Sequence, residues 1–288
     1  MRGPGRSPGL PLFDMVVAGA QVARKGRTMT TIDGSRPHSA RIWNYWLGGT
    51  DNFDVDRQVG EQVRKLLPSI VDQARADRAF LGRAVAHLAG DLGVRQFLDI
   101  GTGLPTAENT HQVAQRIAPA ARVVYVDNDP LVLLHSRALL TSSPEGVTRY
   151  LEADLHDPAP ILEAARGTLD FDRPIALMLV GVLHHVEDTA AARAIVARLR
   201  DSLPAGSYLV VNHATNAVFG PASDDSVRHW NQFGKPSITL RSPAEIADFF
   251  DGFDLLEPGV VACSRWRPGR AAEDAAEVDE FAGVGRKP

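Results

Sequence analysis

The ten residues from Phe97 to Thr106 read Phe-Leu-Asp-Ile-Gly-Thr-Gly-Leu-Pro-Thr, and they constrain this chain more than any other stretch. An apolar run carries an acid, two glycines follow with one residue between them, and then a proline. That order describes a buried strand turning abruptly into a helix. Gly101 and Gly103 let the backbone turn tightly and approach a ligand, because neither carries a Cβ. Pro105 suits the first turn of a helix, where a missing N–H costs nothing, so the pattern predicts a helix over 105–117. Asp99 sets an acceptor beside the gap. An ordinary strand–turn–helix junction shares this outline, so the rest of the chain must decide what the turn serves.

Strands and helices alternate after it. Apolar patterning predicts strands at 96–100, 122–127, 147–152, 175–180 and 207–212, and helices at 129–140, 158–166, 188–201 and 243–250. Alternation of this kind builds a mostly parallel sheet with helices on both faces. Ile175-Ala176-Leu177-Met178-Leu179-Val180 is apolar without a period of two, as a strand covered on both faces should be. Ser242-Pro243-Ala244-Glu245 forms a capping box with proline at the first helical position. Residues 253–263 read as strand, Pro258-Gly259 turn and strand, a C-terminal antiparallel hairpin. Ahead of the sheet, helices are predicted over 55–67 and 69–91, the second with Ile70, Ala74, Phe80, Leu81, Val85 and Leu88 as its apolar stripe.

The expected organisation is therefore a disordered, Gly/Pro/Arg-rich leader over 1–36, an N-terminal helical lid over 37–92, an α/β domain over 93–267 with an insert at 214–241, and a tail over 268–288 whose acidic, Ala-rich start reads as solvated. Met29-Thr30-Thr31 reads as a second, better start than Met1. A net charge of −4 provides no basic field to draw in nucleic acid, although a local basic patch would still be compatible with it. The single Cys263 excludes an intrachain disulfide and a cysteine metal cluster, and points to a reducing cytoplasm. No apolar run reaches membrane-spanning length. The sequence carries no signal of oligomeric state.

Acids end the next two strands as well. Asp127 closes Val123-Val124-Tyr125-Val126-Asp127-Asn128-Asp129-Pro130, the place where doubly wound folds hold ribose hydroxyls. Asn128 lies beside it, and capping ahead of Pro130 is the alternative role for Asp127 or Asp129. After the third strand, Asp154 is placed to accept from an adenine amine while Leu155 packs on the ring. Gly181 ends the fourth strand at the same crevice. Thr102 lies between the two motif glycines. A dinucleotide oxidoreductase would use a similar crevice, but its Gly-x-Gly-x-x-Gly fingerprint is broken here by Thr106.

The Asp-x-Gly-x-Gly pattern resembles the first motif of class I S-adenosylmethionine methyltransferases. A second block, Pro37-His38-Ser39-Ala40-Arg41-Ile42-Trp43-Asn44-Tyr45-Trp46-Leu47-Gly48-Gly49-Thr50-Asp51-Asn52-Phe53, resembles the opening of an actinobacterial family of such methyltransferases once known as a domain of unknown function. Gly103-Leu104-Pro105-Thr106, the run 125–130, Leu183-His184-His185 and Gly283-Val284-Gly285-Arg286-Lys287 match the same family, so the resemblance spans 37–288. It implies a Rossmann-like class I fold, a mostly parallel seven-stranded sheet, with S-adenosylmethionine bound by Asp99, Gly101, Thr102, Gly103, Asp127, Asn128, Asp154, Leu155 and Gly181. It supplies no substrate.

The acceptor is expected to be a small molecule. Aromatic anchors and a Gly48-Gly49 bend suit residues 41–53 to closing over a ligand, with Arg41, Asn44, Tyr45, Asp51, Asn52 and Phe53 as lid or substrate contacts. A docked helix with Trp43 and Trp46 as core anchors is the alternative. His184 and His185 follow the fourth strand, and His213 follows the fifth. Any of them is a candidate base or orienting group, as is Tyr45, and a structural role is the other reading. Trp230, in the insert, is a candidate substrate contact. No metal site is expected. A methyltransferase is the preferred reading, against an NAD-dependent oxidoreductase or a non-catalytic S-adenosylmethionine-binding regulator.

Overall fold

The computed structural model describes residues 34–105, 108–139, 141–269 and 275–288. Most of the expected leader, including Met29, lies outside the described residues. Three helices come first: α1 (Ser39–Trp46), α2 (Asp54–Leu66) and α3 (Ile70–Gly90). Then follow β1 (Gln96–Ile100), α4 (Thr110–Ile117), β2 (Arg122–Asp127), α5 (Pro130–Leu139), β3 (Val147–Glu152), α6 (Pro158–Ala165), β4 (Ala176–Val180), α7 (Thr189–Asp201) and β5 (Tyr208–Ala214). The chain ends with α8 (Pro221–Phe233), α9 (Pro243–Ala247), β6 (Asp254–Leu255), β7 (Val261–Ala262) and β8 (Glu280–Arg286).

The sheet runs β3-β2-β1-β4-β5-β8-β6, with β7 also on β8. The first five strands are mutually parallel, and β8 is antiparallel to β5. Period-two alternation along the central strands divides the core. Phe97, Val123, Tyr125, Met178 and Val210 face α3 and α4, while Leu98, Ile100, Val124, Leu177 and Leu209 face α6 and α7. A third apolar cluster joins α1, α2 and the start of α3 to Trp230 of α8.

The expected antiparallel C-terminal addition is present, with a different pairing from a hairpin within 253–263. β6 and β7 do not pair with each other; both lie along one edge of β8, Leu255 opposite Gly285 and Val261 opposite Ala282. Glu257-Pro258 is the expected turn, closed by the N–H of Gly259 donating to the Leu256 carbonyl at 2.8 Å, and it separates two short stretches on the same edge. Residues 280–286, expected in a tail, form the interior strand that this edge covers. Their glycines disguised the strand pattern. A Cβ on Gly283 would stand 3.1 Å from the Phe250 ring, and one on Gly285 2.8 Å from the Phe253 Cβ, so small residues are what let these aromatics pack on the sheet.

Helix α4 starts at Thr110, not at Pro105. The N–H of Asn109 donates to the Gln112 side chain at 2.9 Å, and the hydroxyl of Thr110 donates to Asp99 at 2.6 Å. These two bonds set the helix start five residues beyond the proline, and Leu104, Pro105, Glu108 and Asn109 lie outside the helix.

Candidate functional site

A cavity of about 450 Å³ opens at the C-terminal ends of β1, β2 and β4, where the strand order reverses. That volume lies within the range of small-molecule sites. The turn after β1 forms its floor. Gly101 has φ 78°, and a Cβ there would fall 2.3 Å from Val182, so this glycine keeps two loops in contact. Gly103, with φ 63°, has a different reason: a Cβ on it would meet no protein atom within 4 Å. Its open side lies along the cavity, as a backbone cradle for a ligand requires.

Asp127 stands at the end of β2 and holds this cradle. Its carboxylate accepts from the N–H of Gly103 at 3.0 Å and from the N–H of Asp129 at 2.9 Å. Asp129 takes the capping role, accepting from the N–H of Leu131 at 2.8 Å. His38 lies 3.2 Å from the same Asp129 carboxylate, which ties the N-terminal segment to the sheet. Burial pushes the Asp127 carboxyl up to about 6, against the opposing backbone hydrogen bonds. Asp99 is likewise raised to about 6 by burial, with the Asp127 and Asp77 charges adding to it and the bond from Thr110 opposing.

Asp77 was not anticipated. It lies on α3, lines the cavity, and is pushed up by burial. The amide of Asn212 donates to it, and the other end of that amide accepts from the N–H of Gly181 at 2.6 Å. The signal was present: Asp77 interrupts the stripe Ile70, Ala74, Leu81, Ala84 at the helical spacing of a core residue, and an acid there needs a partner. Three desolvated carboxylates thus surround one cavity.

The remaining expected cofactor residues converge there too. Thr102, Asn128, Asp154, Leu155 and Gly181 all line the cavity. Asp154 accepts from the backbone N–H of His156 at 3.0 Å and Leu155 is buried.

The expected lid residues divide. Asn44 lines the cavity, as do Ser39, Trp43 and Leu47 of the same segment, but Arg41, Tyr45, Asp51, Asn52 and Phe53 do not. Arg41 is buried and pairs with Asp56 at 2.8 Å. The Asp56 carboxylate also accepts from the N–H groups of His38 and Phe53, each at 2.9 Å, so this pair is a clasp across α1 and α2. Tyr45 donates to Glu61 at 2.8 Å. Asn52 donates to Asn44 at 2.9 Å, and Asp51 lies 3.6 Å from His135. The ring of Phe53 lies under the Arg41 guanidinium. The helical period explains the division: α1 turns residues 39, 40, 43, 44 and 47 to the cavity and 42 and 46 to the α2–α8 cluster.

The histidines divide as well. His185 lines the cavity and places Nδ1 2.9 Å from the carbonyl of Ser237. A carbonyl only accepts, so Nδ1 carries the proton and Nε2 keeps its lone pair. Burial lowers His185 to about 4. His213 is a buried structural residue between the Ala214 carbonyl and the Arg241 guanidinium, at 2.7 Å from each. His184 and Trp230 face a second, smaller chamber. Among the described residues no three metal-ligating groups converge on one point.

A parallel sheet with one antiparallel strand beside β5, a glycine cradle after β1, an acid within β1 and an acid closing β2 define a Rossmann-like class I methyltransferase. Residues 25–288 match the S-adenosyl methyltransferase family, and the chain belongs to it. A DUF574 family protein from Streptomyces avermitilis is 44% identical, over 89% of this chain and 99% of its own, with a TM-score of 0.85. A candidate methyltransferase from Thermobifida fusca is 41% identical, over 88% and 96%, with a TM-score of 0.81. No curated protein matches the chain. The protein is thus an S-adenosylmethionine-dependent methyltransferase, and the oxidoreductase and regulator readings are set aside. No described helix is long and apolar enough to cross a membrane.

Proposed function

We propose that the cavity at the β1 turn holds S-adenosylmethionine and that the acceptor is a small molecule admitted between α1 and His185. The observation that carries this reading is the open side of Gly103 inside a cavity ringed by Asp77, Asp99 and Asp127. A backbone cradle admits a ligand closely, and buried carboxylates favour a cationic one. When bound, the cofactor supplies an electrophilic methyl group on a sulfonium that already leaves readily. The tasks left to the protein are orientation and exclusion of water.

Asp77 and Asp99 hold negative charge against the ammonium and sulfonium end. Asp127 offers its carboxylate to the ribose hydroxyls, and Asp154 and Leu155 receive the adenine. His185 positions the acceptor through Nε2. A ring lowered to about 4 is neutral at pH 7 and too weak a base to store a proton, so its role is orientation. Trp43 and Leu47 supply the apolar cover that keeps water out. A net charge of −4 supports a small acceptor over nucleic acid, and a lone buried Cys263 supports a cytoplasmic setting.

Calorimetric titration with S-adenosylhomocysteine tests the site. Wild-type protein is expected to bind stoichiometrically, and Asp127→Ala to bind at least tenfold more weakly. Equal affinity in the two proteins would refute the assignment. Methylation across a panel of small acceptors, set against a nucleic-acid substrate, tests the acceptor class.

A further inference from the structure

A second chamber of about 60 Å³ lies behind α1, walled by α1, α2, α3, α8 and the end of β5. Ser39 and Trp43 line both it and the cofactor cavity, so the first turns of α1 are the partition between them. Trp43, Trp46 and Trp230, three of the four tryptophans of the chain, surround the smaller space. Two of these indoles spend their N–H elsewhere: Trp46 donates to the Gly60 carbonyl at 3.2 Å and Trp230 to the Pro236 carbonyl at 2.8 Å. They therefore present only carbon to the chamber.

Set among these rings are polar atoms with no partner. One carboxylate oxygen of Glu280, the amide oxygen of Gln73, the hydroxyl of Thr215 and both ring nitrogens of His184 are buried and make no hydrogen bond. The four residues are 0%, 5%, 1% and 2% exposed. A buried polar group without a partner costs about 1–3 kcal/mol, so four in one place call for an explanation. Asp279, which shares the chamber, shows the contrast. Its carboxylate accepts from the N–H groups of Val218 and Phe219 at 2.7 and 3.1 Å and from the Ser223 hydroxyl, so it is fully used in holding the start of α8. The other oxygen of Glu280 is also used, accepting from Gln73 at 2.9 Å.

Every residue of the unused set can accept a hydrogen bond. Gln73 offers an amide oxygen that only accepts, Thr215 a hydroxyl, and a neutral His184 one ring nitrogen. Burial and the Asp77 and Asp279 charges push the Glu280 carboxyl well up, so a cation seated beside it would favour its ionised, acceptor-only form. Among the described residues no lysine or arginine lines the chamber. The nearby Arg241 guanidinium is committed to the carbonyls of Leu183 and Val186 and to His213. The complement is a group rich in N–H, positively charged and small, and tryptophan faces attract such a cation. We propose that this chamber is the recognition pocket for the acceptor and that the acceptor carries a protonated alkylamine seated there. The acceptor's role rests on the reading of the adjoining cavity as the cofactor site; the chamber's preference for an ammonium does not. Its small volume, about 60 Å³, limits the seated group to a short aliphatic ammonium.

The test uses full-length protein with labelled tryptophan, with and without saturating S-adenosylhomocysteine, titrated with n-butylammonium, 1-butanol and tetramethylammonium. The readout is the four indole N–H resonances. Saturable shifts are expected at Trp43, Trp46 and Trp230 and not at Trp266, with n-butylammonium at least tenfold tighter than either of the other two probes. Glu280→Gln keeps the shape and the Gln73 bond. It should weaken n-butylammonium at least tenfold and leave 1-butanol and S-adenosylhomocysteine unchanged. Thr215→Val, which removes one of the unpartnered groups, serves as a second variant with a smaller expected loss.

Equal binding of 1-butanol would make the chamber merely apolar. Equal binding of tetramethylammonium would show that the acceptor atoms play no part. Absence of saturable shifts would leave a hydrated interior. Each of these overturns the proposal. Failure of S-adenosylhomocysteine to bind while n-butylammonium still does would instead overturn the cofactor reading alone.

Discussion

Replacing Asp99 by asparagine should make the ligand-free protein more stable and the cofactor site weaker. The Asp99 carboxyl is raised to about 6 in the fold, chiefly by burial, from an ordinary value near 4. The folded state therefore binds the proton more tightly than the unfolded chain, and stability falls as pH rises from about 4 to about 6. Above that window the charge costs about two pKa units, or about 3 kcal/mol. Asparagine carries no charge and still offers an oxygen to the Thr110 hydroxyl, which sits 2.6 Å from the carboxylate. Asp99→Asn should thus gain up to about 3 kcal/mol at pH 7.5, seen in urea melts, and lose most of that gain at pH 4. Affinity for S-adenosylhomocysteine should move the other way. Loss of one charged hydrogen bond, about 1.5–3 kcal/mol, is roughly a 10- to 150-fold weaker calorimetric affinity. A variant less stable than wild type at pH 7.5, or equally stabilised at pH 4 and pH 7.5, would refute the burial argument. Unchanged affinity would refute the role given to the charge.

The two motif glycines should separate in the same assays. Gly103→Ala adds a Cβ that meets no protein atom, so it should cost only the about 1–2 kcal/mol of a left-handed backbone while lowering cofactor affinity at least tenfold. Gly101→Val drives its side chain into Val182 and should lose stability first, seen as a much larger drop in melting midpoint. Breaking the buried Arg41–Asp56 clasp with Arg41→Met strands a carboxylate and should cost about 3–5 kcal/mol in a denaturant melt, although Arg41 does not line the cavity. Addition of S-adenosylhomocysteine should slow amide exchange within 38–47, which lines the site, and leave 51–53 unchanged. Equal slowing across both stretches would mean that the segment closes as one lid.

Much of the fold was legible because its signals are local. Asp99-Ile100-Gly101-Thr102-Gly103 after an apolar run fixes a strand–turn irrespective of what surrounds it, since only glycine takes these backbone angles cheaply. The doubly covered apolar strands and the Ser242–Glu245 capping box are read the same way. Acids at the ends of β1, β2 and β3 follow from strand alternation and crossover topology, so Asp99, Asp127 and Asp154 could be placed at one crevice before any contact was known. Other features depend on what approaches from far along the chain. Glycines make Gly283-Val284-Gly285 look like a tail, and only Phe250 and Phe253 packing against them reveal an interior strand. Asp77 reads as an irregularity in a helix until Asn212 and Gly181 arrive beside it. Residues 41–53 read as one lid, but helical rotation sends Asn44 to the cavity and Arg41 to a clasp. His184, adjacent to His185 in sequence, faces a different chamber. Motif and period set which elements form, because those depend on neighbours within a few residues. The partners of a buried charge are set by packing between distant elements, and that is why tertiary structure alone decided which polar residues face a ligand and which hold the fold.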